Sequence, residues 1–469
     1  MTIQNSAATA LSFSSLSLSP QMLENLERLG YTSMTAIQAA SLPVALLGKD
    51  LIAQAKTGSG KTAAFALALL ANINPRWFAV QAMVLCPTRE LADQVTTELR
   101  RLARAEENIK IVTLCGGVPS RGQRASLENG AHIVVGTPGR IMDHLDRQTL
   151  DIAAVNTLVL DEADRMLDMG FFNDIVTVVK QCPPKRQTLL FSATYPIEIE
   201  KLATQFMKSP QMIKVESLHT NNLIEQRFYQ IEEQDRLSSV AVLLNHFKPV
   251  STLAFCNTKA KCRQLAAMLQ GQGFSALELH GDLEQRERDQ VLVQFANRSA
   301  SILVATDVAS RGLDIQQLEA VINVEVTPDP EVHIHRIGRT GRAGGSGLAL
   351  SLVSMDEMGY VGRIEEYQKQ NSQFFPIKEL YSEAQEPLLA PMVTLLVFGG
   401  RKEKIRAGDI LGALTNQDFG ISLTREQVGK ITVTEFSTFI AIERSIAKQA
   451  LDKLNNGRVK GRSVKARIL

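Results

Sequence analysis

Cysteine is scarce in this sequence, and the five residues present (Cys86, Cys115, Cys182, Cys256 and Cys262) include no Cys-x-x-Cys pair. A disulfide framework and a zinc site are therefore not expected, and cysteines inside apolar runs fit small buried residues of a reducing compartment. Basic residues are absent before Arg28, so the start lacks the charged region of a secretory signal. Long apolar runs are also missing. The longest clear one, Ala63 to Ala71, is too short to span a bilayer. These absences lead to an expectation of a cytoplasmic protein with no membrane partner. Net charge is small as well, with 51 Lys and Arg against 49 Asp and Glu.

The near balance hides an uneven distribution. From Leu388 to Leu469 there are 14 basic and 7 acidic residues, a net of +7, which leaves −5 for the preceding 387 residues. Five of those cations (Arg458, Lys460, Arg462, Lys465 and Arg467) lie in the last twelve residues, where no acidic side chain occurs. A local basic face is the electrostatic footprint of a nucleic-acid contact, although a solvated surface has the same composition.

A chain of 469 residues exceeds one compact core, since single domains usually run about 100–200 residues. Short apolar runs without polar alternation recur between Asp50 and Phe191 ("DLIAQA", "AMVLCP", "IVTL", "HIVVGT", "TLVLDE", "TLLFSA"), separated by segments of helical period such as "RELADQVTTELRRLAR". This pattern predicts a parallel sheet covered on both faces. It returns in "STLAFC", "SALELH", "SILVAT", "AVINVE" and "GLALSLV", which predicts a second α/β domain. After a stretch marked by Pro376, Pro387 and Pro391, "MVTLLVFGG", "RAGDILGALTNQ", "KITVTEFSTFIAI" and "SIAKQALDKLNN" predict a small α+β unit. The expected organisation is a disordered lead-in 1–10, domains 11–210 and 224–370, connectors 211–223 and 371–387, and a terminal domain 388–469.

"AQAKTGSGKTAAF" follows the first predicted strand and opens a helix, the expected context of a phosphate-binding loop. Thr57, Gly58, Ser59 and Gly60 would surround phosphate oxygens, Lys61 would reach the β and γ phosphates, and Thr62 would hold Mg2+. Ala55 stands where the strict pattern has glycine. "TLVLDEAD" brings Asp161 and Glu162 to the carboxyl end of a strand, where sheets of this class bind ligands. Asp161 would coordinate Mg2+ and Glu162 would orient and deprotonate the attacking water.

With "DEAD" at Asp161 to Asp164 beside "AKTGSGKT", the sequence resembles the DEAD-box ATP-dependent RNA helicases over about Phe13 to Leu352. The resemblance implies two tandem RecA-like doubly wound parallel-sheet domains, with ATP, Mg2+ and RNA as ligands. "GYTSMTAIQ", with Phe13 upstream, is similar to the family's Q motif, which assigns Gln38, Tyr31 and Phe13 to ATP; Ala36 stands where proline is commoner. The amide of Gln38 suits the donor and acceptor of adenine.

"PTRELADQ" (Pro87, Thr88, Arg89), the pair Gly116 and Gly117, and "TPGR" (Thr137, Pro138, Gly139, Arg140) are similar to RNA-backbone contacts. Asn257 in "FCNT", Gln285 and Arg288 in "QRER", and Thr306, Arg311 and Gly312 in "ATDVASRGLDI" are their second-domain counterparts. "SAT" (Ser192, Ala193, Thr194) with Asp307, His335 and Arg336 resembles the link between ATP and RNA sites, and Asp314 resembles the ribose contact. Arg339 and Arg342 in "HRIGRTGR" match the family's arginine fingers, so hydrolysis would wait for domain closure.

The terminal unit has the strand and helix order of an RNA-recognition motif, as in the DbpA subfamily. That likeness implies structured large-subunit (23S) ribosomal RNA within the pre-ribosomal particle as partner, and a monomer. Arg401, Lys402, Lys404, Arg458, Lys460, Arg462 and Lys465 are its candidate RNA contacts, with Phe398 and Phe439 as either stacking or core residues. A general RNA chaperone whose terminal domain binds protein, and a DNA-directed or protein-remodelling motor, are the competing readings.

Overall fold

A computed structural model describes residues 12–55, 58–195, 197–215, 224–310, 318–341, 347–381, 387–416 and 423–469. Strands of the first unit are β1 (Leu51–Gln54), β2 (Ala82–Leu85), β3 (Ile111–Leu114), β4 (Ile133–Gly136), β5 (Thr157–Leu160), β6 (Gln187–Ser192) and β7 (Gln211–Lys214). They form one parallel sheet in the order β3-β4-β2-β5-β6-β1-β7. The uninterrupted apolar runs follow from burial on both faces. Val84, Val135 and Val159 join a core with Phe65 and Leu99 of the helices Lys61–Ala71 and Arg89–Leu102. Met83, Val134 and Leu158 join a second core with Ile141 and Val178 of Pro138–Asp146 and Phe172–Gln181. Residues 211–214, which fall in an expected connector, instead form β7 beside β1. An edge strand that is largely exposed needs no apolar run, so "QMIK" gives no strand signal.

The second unit contains β8 (Ile224–Gln230), β9 (Thr252–Cys256), β10 (Ala276–Leu279), β11 (Ile302–Thr306), β12 (Ala320–Asn323) and β13 (Gly347–Val353). These strands are parallel, in the order β10-β11-β9-β12-β13-β8. Part of the expected connector 371–387 packs on this sheet. Phe228 at the edge donates its amide to Gln373 and accepts from Phe375, at 2.9 and 2.8 Å, and Ile377 is buried in the core. "FFPI" supplies apolar side chains that a solvated linker would not carry.

The same unit holds the small terminal sheet of β14 (Met392–Val397), β15 (Val428–Val433), β16 (Thr438–Glu443) and β17 (Ala466–Ile468). Its antiparallel order, β15-β16-β14-β17, with helices Ala407–Thr415 and Ala447–Asn456, is the expected RNA-recognition-motif arrangement. Leu395, Val397, Ile440 and Ile442 pack against Ile410, Leu414, Ala450 and Leu454 of the helices. The other face is covered too, since Thr394, Leu396, Phe439 and Ala441 are all buried. There the Thr394 hydroxyl meets Asn297 Nδ2 at 3.1 Å and Ser299 Oγ at 2.6 Å, and the Met392 amide donates to the Arg298 carbonyl at 3.3 Å. Phe439 is therefore a packing residue, whereas Phe398 is 49% exposed.

Candidate nucleotide and RNA site

Strand order divides the carboxyl edge of the first sheet in two. β3, β4 and β2 are adjacent, and the loops after them carry Gly116 and Gly117, Thr137 to Arg140, and Pro87 to Arg89. β5, β6 and β1 form the neighbouring group, followed by Asp161 and Glu162, Ala193 and Thr194, and the glycine-rich loop. The residues of this unit assigned to RNA from the sequence thus gather on one part of the edge, and the phosphate-loop residues, Asp161, Glu162 and the coupling residues on the other. Local signals place them: Thr88 caps its helix by accepting from the Leu91 amide, and Pro138 starts the helix after Thr137. Arg140 donates to the Val118 carbonyl at 3.2 Å and to Gln123 at 3.0 Å, tying two of the RNA-side loops together.

On the nucleotide side Gly60, with φ 92°, precedes the helix Lys61–Ala71, whose first turn has no side-chain cap. Its amides are therefore available to an anion. Lys61 is buried and donates from Nζ to the Ala55 carbonyl at 2.5 Å. Gln38 is also buried; its Nε2 donates to the Gly60 carbonyl at 3.1 Å, and its Oε1 accepts from the Thr35 amide at 2.9 Å. Phe13 packs edge-on to Tyr31, with ring centroids 6.1 Å apart.

Asp161 and Glu162 are both buried behind this loop. Burial pushes the Asp161 carboxyl up to about 7, with the Glu162 charge adding to the rise and Lys61 opposing it. Glu162 adopts a left-handed backbone, φ 49°, and pairs with the buried Arg165 at 2.6 Å. The buried hydroxyls of Ser59 and Ser192 have no hydrogen-bond partner among the described residues. Unused hydroxyls, uncapped amides, a lysine and a buried carboxyl whose ionised form a cation would favour make a donor set that fits a magnesium-bound triphosphate.

Asp164 connects this group to the segment after β6, accepting from the Ala193 amide at 3.1 Å and the Thr194 amide at 2.9 Å. Burial favours its neutral form, yet the Thr194 amide, Lys61 and Arg165 together hold its carboxyl below the usual carboxylate range. In the second unit Arg336 is fully buried. It pairs with both Asp307 oxygens at 2.8 and 2.6 Å and donates to Asn257 Oδ1 and the Glu325 carbonyl, each at 2.7 Å. The guanidinium of one expected coupling residue thus unites an expected RNA residue, Asn257, with a second coupling residue, Asp307. Arg339 is buried on the same chain segment, Gln285 donates to Asp289 at 2.8 Å, and Arg288 donates to the Ala309 carbonyl at 3.3 Å. Thr57, Arg311, Gly312, Asp314 and Arg342 lie outside the described residues.

In the terminal domain Arg401, Lys402, Lys404, Arg458, Lys460, Arg462 and Lys465 are all exposed. Lys460 Nζ donates to the Lys404 carbonyl at 3.2 Å, which brings together two basic runs far apart in sequence.

Residues 35–202 match the DEAD/DEAH box helicase family, 235–344 the helicase conserved C-terminal domain, and 394–468 the DbpA RNA binding domain. Over 460 residues the chain is 50% identical to the ATP-dependent RNA helicase DbpA of Escherichia coli (strain K12), covering 97% of this chain and 99% of that protein. The chain belongs to the DbpA subfamily of DEAD-box ATP-dependent RNA helicases. It is also 44% identical to the CshA helicase of Listeria monocytogenes, over 77% of this chain and 69% of that one. Among solved structures it is similar to S. cerevisiae Dbp5 bound to RNA and ADP BeF3, with a TM-score of 0.71, 30% identity, and coverage of 79% of this chain and 97% of that one.

As a DEAD-box helicase the chain uses ATP and binds RNA through a core and a dedicated terminal domain. No helix among the described residues is long and apolar enough to cross a membrane. Reading the sequence alone passes over Asp164, Arg165 and Glu325. Asp164 and Arg165 sit within or beside the motif that names the family, one helical turn after Asp161 and Glu162. Glu325 accepts from the Asn257 amide at 2.8 Å and from Lys261 at 2.9 Å, a contact made across strands that local spacing does not disclose.

Proposed function

We propose that this helicase acts as a monomer in the cytoplasm on structured large-subunit (23S) ribosomal RNA of the pre-ribosomal particle, opening RNA locally with each cycle of ATP hydrolysis. The observation that carries the address is the exposed basic surface joined by Lys460 and Lys404, lying in the region that matches a DbpA RNA binding domain. A core that grips phosphates and sugars is indifferent to sequence. Tethering it beside one RNA element raises the local concentration of that substrate without new chemistry.

Within the core, Gly58, Ser59, Gly60 and Lys61 take the phosphates, with Thr62 and Asp161 the ligands of Mg2+, which neutralises phosphate charge when bound. Glu162 orients the attacking water, Gln38 reads adenine beside Phe13 and Tyr31, and Arg339 meets charge on the transferring phosphoryl group. The loops holding Pro87, Gly116, Thr137, Asn257 and Thr306 take the RNA backbone. The linkage is reciprocal, so RNA and ATP strengthen each other's binding.

The test compares ATPase rates with no RNA, a homopolymer, and large-subunit ribosomal RNA fragments at one fixed salt concentration. Strong stimulation by one fragment, lost when Arg401, Lys404 and Lys460 are changed together to alanine, is the expected result. Equal stimulation by every RNA would overturn the address and leave a general RNA chaperone.

A further inference from the structure

We infer that the terminal domain takes unpaired RNA bases on two exposed phenylalanines, Phe398 and Phe436, which flank its basic surface; this rests on the RNA-binding reading of that domain. The usual route for such a sheet, stacking on its open face, is blocked here because Thr394, Leu396, Phe439 and Ala441 are buried. Phe398 follows β14 just beyond that covered region and is 49% exposed, and Phe436 is 63% exposed. Single exposed aromatics are ordinary, but these two lie at the same end of the sheet, since Val397 pairs with Thr438.

Each ring already carries a cation. Arg467 Cζ lies 5.8 Å from the centre of Phe398, and Lys402 Nζ lies 5.9 Å from the centre of Phe436. A ring with a cation on one side and water on the other presents both elements that single-stranded RNA requires, a stacking surface and a phosphate partner. A fully paired helix has no free base face to offer either ring, so the preference is for unpaired RNA.

The backbone that carries both rings is also held in place before any ligand arrives. Phe436 sits in a turn closed by the Thr434 amide and hydroxyl, each donating to the Ser437 carbonyl at 2.8 Å, and by the Ser437 amide, which donates back to the Thr434 hydroxyl at 3.1 Å. That turn is fixed to the loop after β14. The Arg401 and Lys402 amides donate to the Thr434 and Glu435 carbonyls at 2.9 and 3.0 Å, and Lys402 Nζ pairs with Glu435 at 3.1 Å. A side chain at Gly400 would meet the Thr434 and Glu435 carbonyl oxygens at 2.5 and 2.7 Å, so glycine is what allows this approach. On the other side, the Phe398 amide donates to the Lys465 carbonyl at 2.9 Å, which places its ring beside the last basic residues. A backbone already fixed loses little freedom on binding.

The experiment measures affinity of the full chain, without nucleotide, for two labelled probes at one salt concentration: a single-stranded oligoadenylate and a fully paired RNA duplex. Phe398→Ala and Phe436→Ala should each weaken single-strand binding about tenfold and leave duplex binding unchanged, with Phe436→Tyr close to the parent, because stacking needs only a ring. Both rings are exposed, so thermal melting of the alanine variants should match the parent. Unchanged single-strand affinity in both alanine variants overturns the inference and turns the pair toward a protein partner. Lys460→Ala combined with Arg462→Ala should weaken both probes; loss on neither would instead overturn the RNA-binding reading of the domain.

Discussion

Asp164 accepts hydrogen bonds from both the amide and the hydroxyl of Thr194, at 2.9 and 3.0 Å, so a carboxylate of the nucleotide motif holds the segment that follows β6. Thr194→Val removes the hydroxyl donor and keeps the amide. Hydrogen bonds to a charged group are worth roughly 1.5–3 kcal/mol, and because Asp164 keeps its amide donors the expected loss is near the lower end. Denaturant unfolding should detect it, with Thr194→Ser close to the parent. If the segment couples the two sites, the valine variant also unwinds less duplex per ATP hydrolysed; an unchanged ratio would remove the coupling role.

Asp161 gives the ligand-free protein a stability that depends on pH with an unusual sign. Its carboxyl rises from 3.8 to about 7, so between those values the folded chain retains a proton that the unfolded chain has lost. Stability from this group is therefore highest near pH 4 and falls as pH rises toward 7. Asp161→Asn should be more stable than the parent at pH 8 and show little advantage near pH 4. Thermal melts of the ligand-free chains at both values decide the matter, and an asparagine variant that melts lower at pH 8 contradicts it.

His333 acts in the opposite direction. Burial holds its ring neutral, lowering it from 6.5 to about 3, with the Arg336 charge adding to the effect. Its Nε2 faces Gln226 at 3.5 Å and its ring stacks near Phe228. Below pH 6.5 the unfolded chain binds a proton that the folded chain refuses, so stability is lost as pH falls from 6.5 toward 3. At pH 5 the loss is about 2 kcal/mol. His333→Gln should flatten this part of the profile, as read by denaturant unfolding at pH 7 and pH 5. An identical slope in the variant would exclude His333 as its source.

The docked face of the terminal sheet offers a test by paired substitution. Asn297 and Thr394 are buried and share a 3.1 Å hydrogen bond. Changing each to alanine, singly and together, should reveal a coupling energy of about 1 kcal/mol in urea unfolding. Strict additivity would mean that the contact contributes nothing to holding the sheet.

The central strands and the nucleotide loop could be read directly from the sequence, because their chemistry is local: apolar runs, glycines, and carboxylates at strand ends. β7 could not, since an exposed edge strand carries no apolar pattern. Phe439 was ambiguous for a different reason. Its burial depends on a face closed in part by Asn297 and Ser299, distant in sequence, and no local pattern reports what lies opposite a strand. The same holds for Arg336: its motif marks it as a coupling residue, but only the fold shows that it is fully buried and joins Asp307 to Asn257.

Gly60 joins backbone demand to side-chain space. Its φ of 92° is one that residues with a side chain rarely adopt, and an added Cβ would come within 2.5 Å of Gln38 Nε2 and 3.0 Å of the Thr35 hydroxyl. Gly60→Ala therefore meets two separate penalties, backbone strain of about 1–3 kcal/mol and displacement of Gln38. Removing the obstruction with Gln38→Ala in the same chain should restore only the steric part. In thermal melts the double variant should lie above Gly60→Ala and below Gln38→Ala. ATP affinity should stay reduced in both chains that carry the Gly60→Ala change, because the altered turn no longer aims its amides at phosphate. If Gly60→Ala alone melts like the parent, the loop tolerates a side chain and the close approach of Gln38 does not constrain it.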